Sequence, residues 1–332
     1  MTYPEDNHTI NRRQFLKRSL KAGIAVAGTS LLGYGLYDPT GPVGTEDGHA
    51  GLVRLPSFSL PDIGQRMSIV NGVDRVASIN LALKALGGIE TFIKRGDRVL
   101  IKVNAAFASP PFLCATTNPE LLAEVGRLCF KAGASSVTVT DNPINNPESC
   151  FTLSGLGESV RSIGAGLLLP RDTFFKPTTV PGGTLIKNWP LLYTPFEGVT
   201  KVIGIAPVKD HHRSGASMSM KNWYGLIGGR RNIFHQNIND FIKELAMMMK
   251  PTLVVLDGTM TMMTNGPTGG SLSDLKATNT MIVSTDQVAA DAFGAELLGK
   301  SALDLPYIQK AEAARVGTSD YKSLQPIRAQ AG

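Results

Sequence analysis

Arg98-Val99-Leu100-Ile101-Lys102-Val103 is a short apolar run bounded by turn signals, and it opens the stretch that decides the fold. An irregular segment follows to Thr117. Asn118-Pro119-Glu120 then reads as a helix start: asparagine as cap, proline where no N–H is needed, glutamate in the first turn. The helix predicted from there runs to Lys131, and Gly133 closes it. Ser136 to Thr140 is the next strand, stopped by Asp141-Asn142-Pro143. Strand, helix, strand in this order is a βαβ unit, which requires a right-handed crossover and parallel pairing.

Working outward, Ile79 to Ile93 has apolar residues at helical spacing. The proline-rich stretch of about 145–200 predicts a helix near 154–164, then loops or edge strands. Lys201 to Ala206 reads as a strand and Phe234 to Met249 as a helix. Thr252 to Leu256 is a buried strand ended by Asp257-Gly258, and Thr280 to Ser284 is another. Asp286 caps a helix running to Leu298, and a last helix covers about Leu303 to Val316. Strands alternate with helices, so the class is α/β: a mostly parallel sheet with flanking helices, with two α/β lobes, about 52–200 and 201–332, around a cleft.

The chain has 332 residues and a net charge of +6, with 42% hydrophobic and 18% charged residues. This excludes a disordered tail and a disulfide scaffold. The charge suits anionic partners, but it is modest and dispersed, and no nucleic-acid motif is present.

Residues 1–37 read as a twin-arginine signal peptide: Arg12-Arg13 with Phe15-Leu16-Lys17, then a glycine- and alanine-rich apolar stretch from Ala22. Residues 38–51 read as a linker, and 52–332 as the exported domain. The expected partner is the twin-arginine translocation machinery, and the expected location is periplasmic or otherwise extracytoplasmic. An uncleaved signal would leave the protein anchored to the membrane. Cys114, Cys129 and Cys150 include no C-x-x-C pair, so no self-contained iron–sulfur cluster is expected. Three buried thiols fit a chain that folds in the cytoplasm.

Parallel sheets bind ligands beyond the carboxyl ends of their strands. The polar residues there include Lys102 and Asn104, Asp141 and Asn142, Lys209 to Arg213, Asp257, and Ser284 to Asp286. The densest segment runs from Lys209 through His211, Lys221 and Asn222 to His235. Histidine there supplies acid–base chemistry, and lysine and asparagine can hold negative charge. His211, Lys221 and Asn222 are the catalytic candidates. Lys102, Asn104, Lys209, His235 and Arg230 are the candidates for binding a small anion. Adjacent side chains on an extended chain face opposite ways, so of His211 and His212 only His211 is expected in the site. A divalent metal, if used, would take oxygens from Asp257, Asp286 or Asp291. Asp257 is the carboxylate expected among the lysines.

These pieces resemble the family called domain of unknown function 362. The carriers are Lys102-Val103-Asn104, Thr117-Asn118-Pro119-Glu120, Pro207-Val208-Lys209-Asp210-His211, Lys221-Asn222-Trp223-Tyr224-Gly225, Gly266-Pro267 and Ser284 to Asp291. The resemblance implies no agreed activity. Many relatives carry a ferredoxin-like cluster domain whose Cys-x-x-Cys runs are missing here. Three functions therefore compete: an exported enzyme acting on a small anionic substrate, with or without a metal; a non-catalytic ligand-binding or maturation protein; and an accessory subunit of an exported redox enzyme.

Overall fold

The structure is a computed structural model describing residues 12–35 and 52–332. Arg12–Gly35 is one helix, which holds Arg12 and Arg13. The linker at 38–51 and residues 1–11 and 36–37 of the expected signal lie outside the described residues. Among the described residues, no helix is long and apolar enough to cross a membrane.

The strands are β1 (Met67–Asn71), β2 (Arg98–Lys102), β3 (Ser136–Thr140), β4 (Gly166–Leu168), β5 (Phe175–Thr178), β6 (Trp189–Leu192), β7 (Lys201–Lys209), β8 (Leu253–Met262), β9 (Leu275–Ser284) and β10 (Ile327–Gln330). Eight form one sheet in the order β10-β1-β9-β8-β7-β2-β3-β4, while β5 and β6 pair separately. All neighbours in the large sheet are parallel except β9, which runs against both β8 and β1. The chain is thus a mostly parallel α/β protein. The two halves share this sheet, since β1 from the first half lies between β9 and β10 of the second.

Alternation along the strands sends side chains into two cores. Leu100 and Val202 pack on one face with the helices Ile238–Met248 and Gln287–Leu297. Val99, Ile101 and Ile203 pack on the other with Arg75–Ala85 and Pro119–Lys131. Asn118 caps its helix as the sequence predicts, accepting from the N–H groups of Glu120 and Leu121. All three cysteines are free and buried.

Two strand assignments change where polar residues fall. β8 does not stop at Asp257-Gly258 but continues to Met262, which puts Asp257 inside a strand. A loop after Met262 then returns the chain antiparallel as β9. Ser284 and Asp286 therefore emerge at the sheet edge opposite to the carboxyl ends of β2, β3, β7 and β8.

Candidate functional site

Four parallel strands deliver their following residues to one edge, around a cavity of about 740 Å3. Its floor is an ion pair. The Lys102 ammonium lies 2.8 Å from the Asp141 carboxylate, both fully buried. Lys102 also donates to the Val103 and Asn222 carbonyls and to Asn222 Oδ1, at 2.6 to 3.0 Å. Asp141 accepts from the N–H groups of Ala105 and Asn142. Burial lowers the Lys102 pKa, and the charge of Asp141 opposes the shift. Gly225 has a steric reason: a Cβ there would stand 1.9 Å from Asp141 Oδ1 and 2.8 Å from Lys102 Nζ. Only glycine lets the turn over Trp223–Leu226 close onto the pair.

Lys209 ends β7. Its ammonium donates to the Ala115 carbonyl at 2.6 Å and more distantly to Asn104 Oδ1. Burial, then the charge of Lys221, pushes it down to about 7. The chain then turns and comes back, with Lys209 and Ser217 exchanging backbone hydrogen bonds. This return brings the short helix Ser219–Asn222 to the cavity. Asp291 seats that helix by accepting from the N–H groups of Ser219 and Met220. Burial raises Asp291 to about 7 despite these bonds.

Lys221 differs from the other two lysines. Among the described residues its ammonium has no hydrogen-bond acceptor or ion-pair partner, only the Tyr224 ring at 5.0 Å. Burial, Arg231 and Lys102 lower it to about 8. Arg231 spends its guanidinium on the carbonyls of Tyr224, Ile227, Asn142 and Pro143. Its charge faces the cavity without a carboxylate of its own.

Three imidazoles form the opposite wall. His212 and His235 each stack on His211, at 4.9 and 5.9 Å between ring centroids. His212 also lines the cavity, contrary to the expected alternation, because residues 212–214 form a turn rather than extended chain. The hydrogen bonds set the tautomers. His211 Nδ1 accepts from the N–H groups of Arg213 and Ser214, so its proton sits on Nε2. Burial and the charge of Lys221 hold His211 far below its ordinary pKa, hence neutral. His235 Nδ1 donates to the Asn232 carbonyl, and His212 Nδ1 faces the Gly266 carbonyl at 3.4 Å. Both therefore carry the lone pair on Nε2. The wall offers one N–H donor between two acceptors. Burial and Lys221 also lower His235.

Asn265 to Gly269 complete the lining. This loop is held by Asp274, which accepts from Thr264 Oγ1 and Asn265 Nδ2.

Of the residues singled out in the sequence, Lys102, Asn104, Lys209, His211, Lys221, Asn222 and His235 line this one cavity. Arg230 does not: it is exposed, and its neighbour Arg231 takes the place. The carboxylate among the lysines is Asp141, not Asp257, which is paired with Arg75 at 2.7 Å. Asp286 caps the helix Gln287–Leu297 and also accepts from Gln65 and Thr318. Asp257, Asp286 and Asp291 are each satisfied by protein donors, and none of them lines the cavity. Among the described residues no group of three or more His, Cys, Asp or Glu is placed to hold a metal ion. Tyr224 and Arg231 also line the cavity; neither is among the site candidates above, although Tyr224 stands in the quoted Lys221-to-Gly225 motif and Arg231 adjoins Arg230.

Residues 99–296 match the family described as Domain of unknown function (DUF362). The chain belongs to this family. The DUF362 match begins in β2 and ends in the helix Gln287–Leu297, so it includes every residue that lines the cavity. A thylakoid-associated protein of Synechocystis sp. (strain ATCC 27184 / PCC 6803 / Kazusa) is 25% identical over 244 residues, 70% of this chain and 72% of that one. A crystal structure of a protein from Thermotoga maritima aligns with 72% of this chain at a TM-score of 0.37 and 12% identity. The aligned part is 58% of that protein's length.

Proposed function

We propose that this DUF362 protein is an enzyme acting on a small anionic substrate held in the cavity. The observation that carries the reading is a charge imbalance. Lys102, Lys209, Lys221 and Arg231 line one cavity whose single carboxylate, Asp141, is already engaged by Lys102. Buried like charges repel, and an incoming carboxylate or phosphate relieves the repulsion. Lys221 is the direct anion contact, since its ammonium has no other acceptor among the described residues. The Nε2–H of His211 donates to a substrate oxygen. Nε2 of His235 or His212 accepts a proton, which makes proton transfer the chemistry best supplied here.

Titrating inorganic phosphate and small mono- and dicarboxylates against the purified protein should raise its melting temperature. The Lys221→Met variant should bind the best of them about 10- to 100-fold more weakly, the worth of one charged hydrogen bond. No shift with any anion, or equal affinity in the variant, defeats the reading.

The same proposal places the protein outside the cytoplasm, delivered by the twin-arginine route. Its support is Arg12-Arg13-Gln14-Phe15-Leu16-Lys17. Replacing both arginines with lysine should hold the chain in the cytoplasm, as read by fractionation; an unchanged exported yield would count against it.

A further inference from the structure

We infer that Lys221 is an imine-forming lysine, whose amine condenses with the carbonyl group of a small ligand that also carries a carboxylate or phosphate. This rests on the anion-site reading above and adds the ligand's second functional group. Three features of the cavity carry it.

The first is the contrast among the lysines. Lys102 has four acceptors within reach and Lys209 two, whereas Lys221 Nζ has none among the described residues. An amine without acceptors is the one whose lone pair can reach a ligand atom. Its surroundings are cationic: Arg231 and Lys102 both disfavour a proton on it, and the nearest aromatic surface is Tyr224. A lysine desolvated beside other cations is available as a nucleophile near neutral pH.

The second feature is the imidazole wall. The neutral His211 presents Nε2–H, the donor needed to polarise a carbonyl oxygen. His212 and His235 present bare Nε2 atoms that can relay the protons. The condensation balances without a redox partner. The lone pair of Nζ forms a bond to the carbonyl carbon, and the proton left on nitrogen moves to the oxygen, giving a carbinolamine. Loss of the hydroxyl group with the second amine proton, as water, leaves the C=N bond.

The third feature is the charge imbalance. It selects a carbonyl compound bearing an anion over a neutral aldehyde or ketone, because only the former offsets the surrounding ammonium and guanidinium groups.

Trapping tests this on the intact protein. The chain is incubated with pyruvate, with glycolaldehyde phosphate, or with neutral acetone, then reduced with sodium borohydride. Intact mass and peptide mapping locate any adduct. The expected result is one reduced adduct per chain on Lys221 with one of the anionic probes, and little with acetone. Pyruvate labelling assigns a carboxylate ligand, and labelling by the phosphate probe assigns a phosphate. Lys221→Arg should lose the adduct while keeping its melting temperature. Labelling scattered over surface lysines, labelling at Lys209, or equal labelling by acetone would overturn the inference. Lactate, which has the carboxylate but no carbonyl, separates the two readings. If lactate or phosphate raises the melting temperature and no probe is trapped, the imine fails and the anion site stands.

Discussion

The floor of the cavity and its wall use the same residue type in opposite ways. Lys102 is surrounded by acceptors and paired with Asp141, so its charge is consumed by the protein. Lys221 lies in the same cavity with an aromatic face and, among the described residues, no acceptor. The difference separates architecture from function. A satisfied buried charge fixes strands and turns in place, whereas the half-buried Lys221 leaves its charge to water or to a ligand.

The floor should be the more fragile region. Asp141→Asn leaves Lys102 buried without its counter-charge and should cost about 3–5 kcal/mol in denaturant unfolding. Lys221→Met in the same experiment should lose nothing or gain slightly. Comparable losses would erase the distinction. A finer test uses Gly225→Ala. The added methyl group strikes the ion pair rather than the open cavity and should cost about 1–3 kcal/mol, with weaker anion binding as the turn lifts. An unaltered unfolding midpoint would show that the turn does not rest on the pair.

The last test is a pH dependence. Lys209 and Lys221 titrate at about 7 and about 8 in the folded protein, against the usual 10.5. Between those values and 10.5 the unfolded chain holds more protons than the folded one, so stability rises with pH. Below about 7 the full penalty of burying both charges is present. Melting temperatures measured from pH 8 to 10 should therefore climb more steeply in the wild type than in Lys221→Met. Parallel curves would mean that Lys221 is an ordinary, hydrated lysine.

The βαβ unit at 98–140 was legible because each signal in it is local: a capping asparagine, a proline in the first turn, an apolar run between turns. The convergence of Lys102, Lys209, His211 and Lys221 was legible for a related reason, since each follows a strand or a tight return in the sequence. Strand direction was not. Nothing within Thr280–Ser284 states that it runs against its neighbours, and that reversal is what carries Asp286 to the far edge. The acid that completes the floor was equally hidden. Asp141 and Asp257 both follow apolar β-type runs, and only the continuation of β8 past Asp257 separates a strand residue from a site residue. β1, at Met67–Asn71, was not read from the sequence, although it is as long as β2 and β3.

That strand has a consequence for how the molecule is made. Met67 pairs with Ser284, and Ser68 pairs with Ile327 on its other side, so β1 must wait for partners more than two hundred residues downstream. Pairings so distant along the chain are closed late and slowly. The ribosome has to deliver β10 before this edge of the sheet is complete, while the βαβ unit at 98–140 can assemble much earlier. A nascent chain therefore exposes an unpaired strand edge for most of its synthesis, the kind of surface that invites chaperones and aggregation alike.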